Sequence, residues 1–325
     1  MTMPCHPARP GYRATLLSAA VMILGIGAAS GQVYPNRPIR IVTADPGGSN
    51  DFLARVIGQG VSESLGQQVI VDNRASALVA GIVAKSMPDG YTLLVTTGLV
   101  WILPLLQTTS YDPVKDLAPI TLAVSTPNIL VVHPGVAVNS VQEVIALAKA
   151  RPGELNYGSG ATGSASHLGA ELFKAMAGVN IVRIPYKGAG PAVNGLIGGQ
   201  VQLMMATAGS VAPHIKSGRL KALAVTSAQP SEMFPGLPTV SASGLPGYDA
   251  TSMIGVLAPA RTPAAIVNRL NQEIVKALNR PDTKAKLYNA GMEIVGSSPA
   301  QSVATIAGDM ARMGKLIKDA GIRAE

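Results

Sequence analysis

The stretch YGSGATGSASHLGAELF, from Tyr157 to Phe173, concentrates residue types that bind anions through the backbone. Gly158, Gly160 and Gly163 satisfy the G-x-G-x-x-G pattern of dinucleotide-binding loops. Glycine lets the backbone approach a ligand closely, and the first amides of the following helix have no intrahelical acceptor. Together with the helix dipole, these amides attract an anion. A second stretch, TADPGGSND from Thr43 to Asp51, also follows a predicted strand and opens a predicted helix.

The residues that follow the loop from Gly158 to Gly163 indicate which anion it binds. A dinucleotide site expects an acidic residue about 20 positions further on, to bind the ribose. The next predicted strand ends instead at Tyr186 and Lys187. A basic end suits a 2′-phosphate, so an NADP-dependent oxidoreductase using Gly158 to Gly163 remains an alternative. The Walker A pattern fails because Ser164 occupies the lysine position. A small carboxylate needs only a few N–H and O–H donors and is the preferred ligand.

Catalytic and metal-binding patterns are few in this sequence. It contains neither a G-x-S-x-G elbow nor an H-E-x-x-H motif, and His133, His167 and His214 are widely separated. His167 lies four residues after Gly163, where it either packs and caps the loop or contacts a ligand. The sequence therefore predicts a binding protein rather than an enzyme, with no catalytic residues, no metal site and no cofactor.

The first 31 residues have the features of a secretory signal peptide. Two arginines precede a charge-free run from Ala14 to Ser30, which is shorter than the roughly 20 residues of a membrane span. We predict cleavage between Ala28 and Gln32 and a periplasmic mature protein. The single cysteine, Cys5, lies in this segment, so the mature chain has no thiol chemistry.

The charge pattern gives no indication of a nucleic-acid partner. The formal net charge is +8, but the basic residues are scattered along the chain rather than clustered.

Strand and helix patterns alternate along the chain and predict an α/β fold. Apolar runs such as IRIVTA, from Ile39 to Ala44, and ILVVH, from Ile129 to His133, are typical of buried strands. Amphipathic helical patterns and short loops separate these runs, which favours a largely parallel sheet. The last predicted helix begins at Ser298, whose capping box Gln301 can complete.

A series of short motifs resembles one family over nearly the whole mature chain. In order, they include DPGGSNDFLAR, LGQQVIVDNR, PDGYTLL, LNYGSGATGSASHLGAELF, IPYKGAGPAV and GVLAPARTP. These motifs are similar to those of the Bug-type solute receptors of tripartite tricarboxylate transporters. The resemblance implies a two-lobed Venus flytrap like the type II periplasmic binding proteins, with a mainly parallel sheet in each lobe. It assigns residues 32–130 and 251–325 to lobe 1, residues 131–250 to lobe 2, and the ligand cleft to the space between them.

The resemblance also implies a function, partners and a binding site. Such receptors capture a small carboxylate in the periplasm and deliver it to membrane permease subunits, and we expect a monomer. A ligand-sensing receptor for a signalling kinase is a further alternative. The implied ligand-binding residues are Pro46, Gly47, Gly48, Asp51, Gly98, Ser159, Gly160, Thr162, Gly163, Ser164, Ser166, His167, Tyr186, Lys187 and Ala206.

Departures from the family pattern bear on the ligand. Asp45 precedes Pro46 where the family usually has a second proline, and NRASALVA lacks the glycines of the usual NRPGAGG. The frequent FDN is replaced by MAT, which leaves Ala206 where an acidic side chain could receive an amino group. Trp101 is bulky where small residues are common, and it either lines an apolar pocket or packs in the core. We therefore expect a carboxylate without an amino group and with an apolar or aromatic body.

Overall fold

The computed structural model of the chain describes residues 1–3, 34–44, 46–160 and 162–323. Residues 1–36 and 37–325 form two separate compact units, and every described strand and helix lies in the second. The predicted signal peptide lies outside the described residues except for its first three. Asp45 also lies outside them.

Two β-sheets organise the chain. The strands of the described part are β1 (Ile39–Thr43), β2 (Val69–Asn73), β3 (Thr92–Thr97), β4 (Leu117–Thr126), β5 (Asn128–Val132), β6 (Asn156–Ser159), β7 (Val182–Pro185), β8 (Leu203–Thr207), β9 (Lys221–Val225), β10 (Ser252–Pro259) and β11 (Glu293–Ile294). The first sheet has the order β11-β4-β10-β3-β1-β2, and the second has the order β7-β6-β8-β5-β9. The lobe boundaries near residues 130 and 250 remain a prediction.

Helices follow most of the strands, as the α/β class requires. They are α1 (Ser49–Leu65), α2 (Val79–Ala84), α3 (Leu99–Leu106), α4 (Val141–Ala150), α5 (Ala165–Ala177), α6 (Ala189–Ile197), α7 (Ala208–Lys216), α8 (Ala264–Leu278), α9 (Pro281–Asn289) and α10 (Pro299–Asp319). The capping box predicted at Ser298 is present, because its side chain accepts from the Gln301 amide and the Gln301 side chain accepts from the Ser298 amide.

Both sheets are mixed, but most described strands of each run in one direction, in agreement with the predicted class: four of six in the first sheet and four of five in the second. In the first sheet β1 is parallel to β2 and β3, but β10 is antiparallel to β3 and β4, and β11 is antiparallel to β4. In the second sheet β6 is parallel to β7 and β8, but β5 is antiparallel to β8 and β9. The chain passes directly from β4 of the first sheet to β5 of the second, and β10 brings it back. Strands that enter a sheet from the other sheet need not follow the direction of its βα units.

One buried hydrophobic cluster joins the two sheets. It contains Leu94 and Leu122 of the first sheet, Leu130 and Tyr157 of the second, and Met313 of α10. The hydrophobic core is therefore continuous between the two sheets. Helix α10 packs against both α3 and α5.

Asp51, in the first turn of α1, fixes the shape of the first glycine loop. Its carboxylate accepts from the Gly47 amide at 3.0 Å and from Asn73 Nδ2 at 2.9 Å, and it pairs with Arg55 at 2.9 Å. The hydrogen bond from Arg55 is the largest of the effects that lower the pKa of Asp51 from its usual 3.8 to about 2, against the opposing effect of burial. The carboxylate is thus ionised and engaged within the loop.

We expect Asp51 to make the stability of the protein depend on pH. A carboxyl group whose pKa is lower in the folded than in the unfolded state stabilises the fold above the unfolded pKa, and this contribution is lost as pH falls towards the folded pKa. Because the Arg55 side chain is 57% exposed, solvent screens part of the interaction, and Asp51→Asn should cost about 1 kcal/mol at pH 6. Urea unfolding between pH 6 and pH 2.5 should show this difference shrinking as the wild-type carboxylate is protonated.

Asp319→Asn is the control for that measurement. Asp319 forms an exposed pair with Lys315 at the end of α10, so its replacement should change the free energy of unfolding by less than about 0.5 kcal/mol. A deficit in Asp51→Asn that stayed constant from pH 6 to pH 2.5 would contradict the electrostatic role of Asp51.

Candidate functional site

The second glycine loop leads from β6 into α5 and ends in a helix start that is suited to anions. Gly163 has a φ of +80°, a region that favours glycine. Ser164 is the N-cap, and its hydroxyl accepts from the His167 amide at 3.4 Å. The amides of Ala165 and Ser166 belong to the first turn and have no intrahelical acceptor. They stand at the positive end of the helix dipole, where an anion binds favourably.

Two side chains of α5 hold the loop in place from within. The Gly160 amide donates to Ser166 Oγ at 3.1 Å, and the Gly163 amide donates to His167 Nδ1 at 3.1 Å. His167 is buried. Its Nδ1 therefore takes part in capping the loop, and a contact of His167 with a ligand remains a prediction.

Arg183 of β7, which is not among the residues predicted from the sequence, supports the same loop. Its Nε donates to Ser159 Oγ at 2.9 Å, Nη1 to Thr162 Oγ1 at 3.0 Å, and Nη2 to the Gly160 carbonyl at 3.1 Å. The planar guanidinium supplies several donors in fixed directions and carries a permanent positive charge. A charged residue inside the short apolar strand IVRIP was the available signal.

Three other predicted residues lie beyond this loop. The Tyr186 hydroxyl donates to Gln200 Oε1 at 3.2 Å, and Lys187 is exposed. Ala206 is fully buried in an apolar cluster with Ile129. Its methyl group therefore packs in the core of the second sheet.

A cavity of about 520 Å³ lies beside the start of α5. It is bounded by α3, by the first turns of α5, by the segment entering β10, and by α10. Of the predicted site residues, Gly98, Gly163 and Ser164 line it, and Trp101 does so as well. None of the described residues of the first glycine loop lines this cavity; Pro46, Gly47 and Gly48 are exposed where α1 begins.

A network of charged groups forms part of the cavity wall. Arg312 of α10 donates to Asp249 at 2.9 Å and to Asp309 at 2.8 Å, and Trp101 Nε1 donates to Asp309 at 2.8 Å. Burial opposes the charge of Arg312, but the two carboxylates outweigh it and raise its pKa. The guanidinium is therefore fully ionised and paired with two acidic groups.

Neither a metal site nor a membrane span is found in the described part of the chain. The His, Asp and Glu residues there form no group of three or more that could hold a metal ion. The helices within the same ranges are too short or too polar to cross a bilayer.

Comparison with known proteins identifies the family. The model of the family described as the tripartite tricarboxylate transporter family receptor matches residues 53–322. BugT of Bordetella pertussis is 38% identical over 309 residues, which cover 92% of this chain and 94% of BugT.

Two solved structures with bound carboxylates are similar in fold. An R. palustris protein solved with adipate is 36% identical, with a TM-score of 0.76, and the match covers 90% of this chain and 100% of that one. MatC from Rhodopseudomonas palustris, solved with malate, is 26% identical, with a TM-score of 0.72 over 87% of this chain and 100% of MatC. These similarities confirm the two-lobed α/β class and the resemblance to Bug proteins. The chain belongs to the tripartite tricarboxylate transporter receptor family.

Proposed function

We propose that this protein is a periplasmic solute receptor that captures a small carboxylate for a tripartite tricarboxylate-type secondary transporter. The observation that carries the proposal is the start of α5. There, free first-turn amides stand next to an arginine-supported loop and border a cavity. The adipate and malate bound to two similar proteins support a carboxylate as the ligand.

The donors at the start of α5 supply part of the affinity. Hydrogen bonds to a charged group contribute about 1.5–3 kcal/mol each. The two amides of Ala165 and Ser166 therefore supply about 3–6 kcal/mol, and burial of the rest of the solute supplies the remainder of the roughly 8 kcal/mol of a micromolar complex. No catalytic group is needed for such a function.

The two glycine loops have different parts in this proposal. The carboxylate lies at the amides of Ala165 and Ser166, and the loop at Pro46 to Gly48 approaches it when lobe 1 closes on lobe 2. Asp51, His167 and Arg183 keep the two loops in shape, since their polar atoms are bonded within them. Closure gives the permease subunits a surface that differs from that of the empty receptor.

Ligand-induced stabilisation distinguishes a carboxylate receptor from a dinucleotide enzyme. Because a ligand that binds only the folded state stabilises it, a good carboxylate at a hundredfold excess over its Kd should raise Tm by about 4 °C or more. We would screen adipate, malate and monocarboxylates against NADP and NAD by thermal unfolding. A shift with NADP and none with any carboxylate would favour the oxidoreductase alternative and contradict the proposal.

Substitutions at Arg183 test how the loop is supported. Arg183→Gln removes the charge and two of the three donor groups, so we expect carboxylate affinity to fall about tenfold or more. Arg183→Lys keeps the charge but not the planar donor geometry, and should lie between wild type and Arg183→Gln. Calorimetric titration of the screened carboxylate at low and high salt measures both effects, because only Arg183→Gln should weaken the salt dependence.

Arg219→Gln is the matched control, since Arg219 is exposed and contacts His214 and Ser217 away from the loop. Its affinity should equal that of the wild type. Wild-type affinity in Arg183→Gln, in a protein of unchanged Tm, would be inconsistent with the role assigned to Arg183.

Export is tested on the full-length chain. If residues 1–31 are a signal peptide, the periplasmic form begins between Ala28 and Gln32, and Leu17→Arg, which charges the apolar run, keeps the protein in the cytoplasm. Intact-mass measurement of the periplasmic fraction gives the new N-terminus. A periplasmic protein that retains its first 31 residues would contradict cleavage.

A further inference from the structure

The cavity beside α5 has walls that are mainly apolar. Its apolar side chains are Leu99, Trp101, Ile102, Leu168, Met253 and Met313. Trp101 is only 2% exposed and is held in place by its hydrogen bond to Asp309. A volume of about 520 Å³ falls within the range of sites that hold small organic ligands.

The charged and polar groups that line the cavity differ in sign. Ala165, in the first turn of α5, lines the cavity and brings the positive end of the helix dipole to its wall. Arg312, Asp249 and Asp309 also line it, and the single positive charge of Arg312 is paired with the two carboxylates. That cluster has a net charge of about −1, because each side chain contributes one unit. The first turn of α5 therefore attracts a carboxylate, and the charged side chains of the lining offer no unpaired cation for a second one.

We propose that this cavity binds the uncharged, apolar body of a monocarboxylate whose carboxylate lies at the first turn of α5. The inference rests on the proposed carboxylate receptor function and names the class of solute. A dicarboxylate would have to place its second charge in a cavity whose charged lining groups are Asp249, Asp309 and Arg312, which together are net negative. An aryl or alkyl chain would instead exchange water for contact with Trp101, Leu168 and Met253, which is favourable in proportion to the apolar area buried.

Trp101 reports occupancy of the cavity directly, because it is the only tryptophan in the chain. The probes are propanoate, hexanoate and 3-phenylpropanoate, which share a carboxylate and differ in apolar surface, together with adipate. We expect 3-phenylpropanoate and hexanoate to change the fluorescence of Trp101. We also expect both to bind at least about tenfold more tightly than propanoate, and 3-phenylpropanoate to bind more tightly than adipate.

Gly308 offers a way to fill the cavity without disturbing the fold. It lines the cavity from within α10, and a Cβ added to it would meet no heavy atom within 4 Å. Leucine is also a better helix former than glycine. In Gly308→Leu the affinity ratio between 3-phenylpropanoate and propanoate should fall about tenfold. The matched control is Ala307→Leu, which adds a comparable side chain at the neighbouring exposed position outside the cavity and should leave the ratio within about twofold.

The outcomes separate this inference from the function on which it rests. Binding of adipate with no gain from propanoate to 3-phenylpropanoate would overturn the cavity assignment and leave the carboxylate receptor intact. An equal ratio in Gly308→Leu and Ala307→Leu would also overturn the cavity assignment. Failure of every carboxylate to bind would overturn both.

Discussion

The start of α5 has to keep its first amides open to a solute while the loop in front of it holds one shape. Side chains of α5 and β7 meet this requirement: His167 and Ser166 accept from two loop amides, and Arg183 donates to two hydroxyls and a carbonyl. The donors left for a solute are backbone N–H groups at the positive end of a helix. Such donors bind the anionic group of a solute but do not contact the rest of the molecule. Selectivity between solutes that share this group therefore has to come from other residues of the site.

The cavity beside α10, which we propose selects the solute, lies next to the point where the chain passes between the two sheets. β4 ends at Thr126 and β5 begins at Asn128, so one residue separates a strand of the first sheet from a strand of the second. Asn128 Nδ2 donates to Ser252 Oγ at 3.3 Å, which ties this crossing to the start of β10. Ser252 also lines the cavity. A solute body in that cavity would touch α3 and β10 of the first sheet and α5 of the second, and so would favour one arrangement of the lobes.

Local sequence patterns predicted most strands and helices of the βα units, but not the direction of the strands where the chain passes between the sheets. Most strands and helices of the βα units follow from apolar periodicity and caps such as Ser298. β4 and β10 have no local feature that gives their direction, so the mixed sheets could not be predicted. α3 contains Pro104, which argues against a helix.

At the site, the glycine loop and its helix could be predicted, but its supports could not. The charge in a short apolar strand singles out Arg183 but does not show that its partners lie in the glycine loop. The bond between Trp101 and Asp309 joins residues 208 positions apart, so local sequence cannot show it. The prediction of an apolar solute came from Trp101 and Ala206 as departures from the family pattern, and the cavity that Trp101 lines gives that expectation a location.

A crystal structure of the complex with 3-(4-bromophenyl)propanoate is the most direct test of the account, because anomalous scattering from bromine fixes the orientation of the solute. The account predicts carboxylate oxygens about 3 Å from the amide nitrogens of Ala165 and Ser166. A carboxylate bound elsewhere, with those two amides left to water, would contradict it.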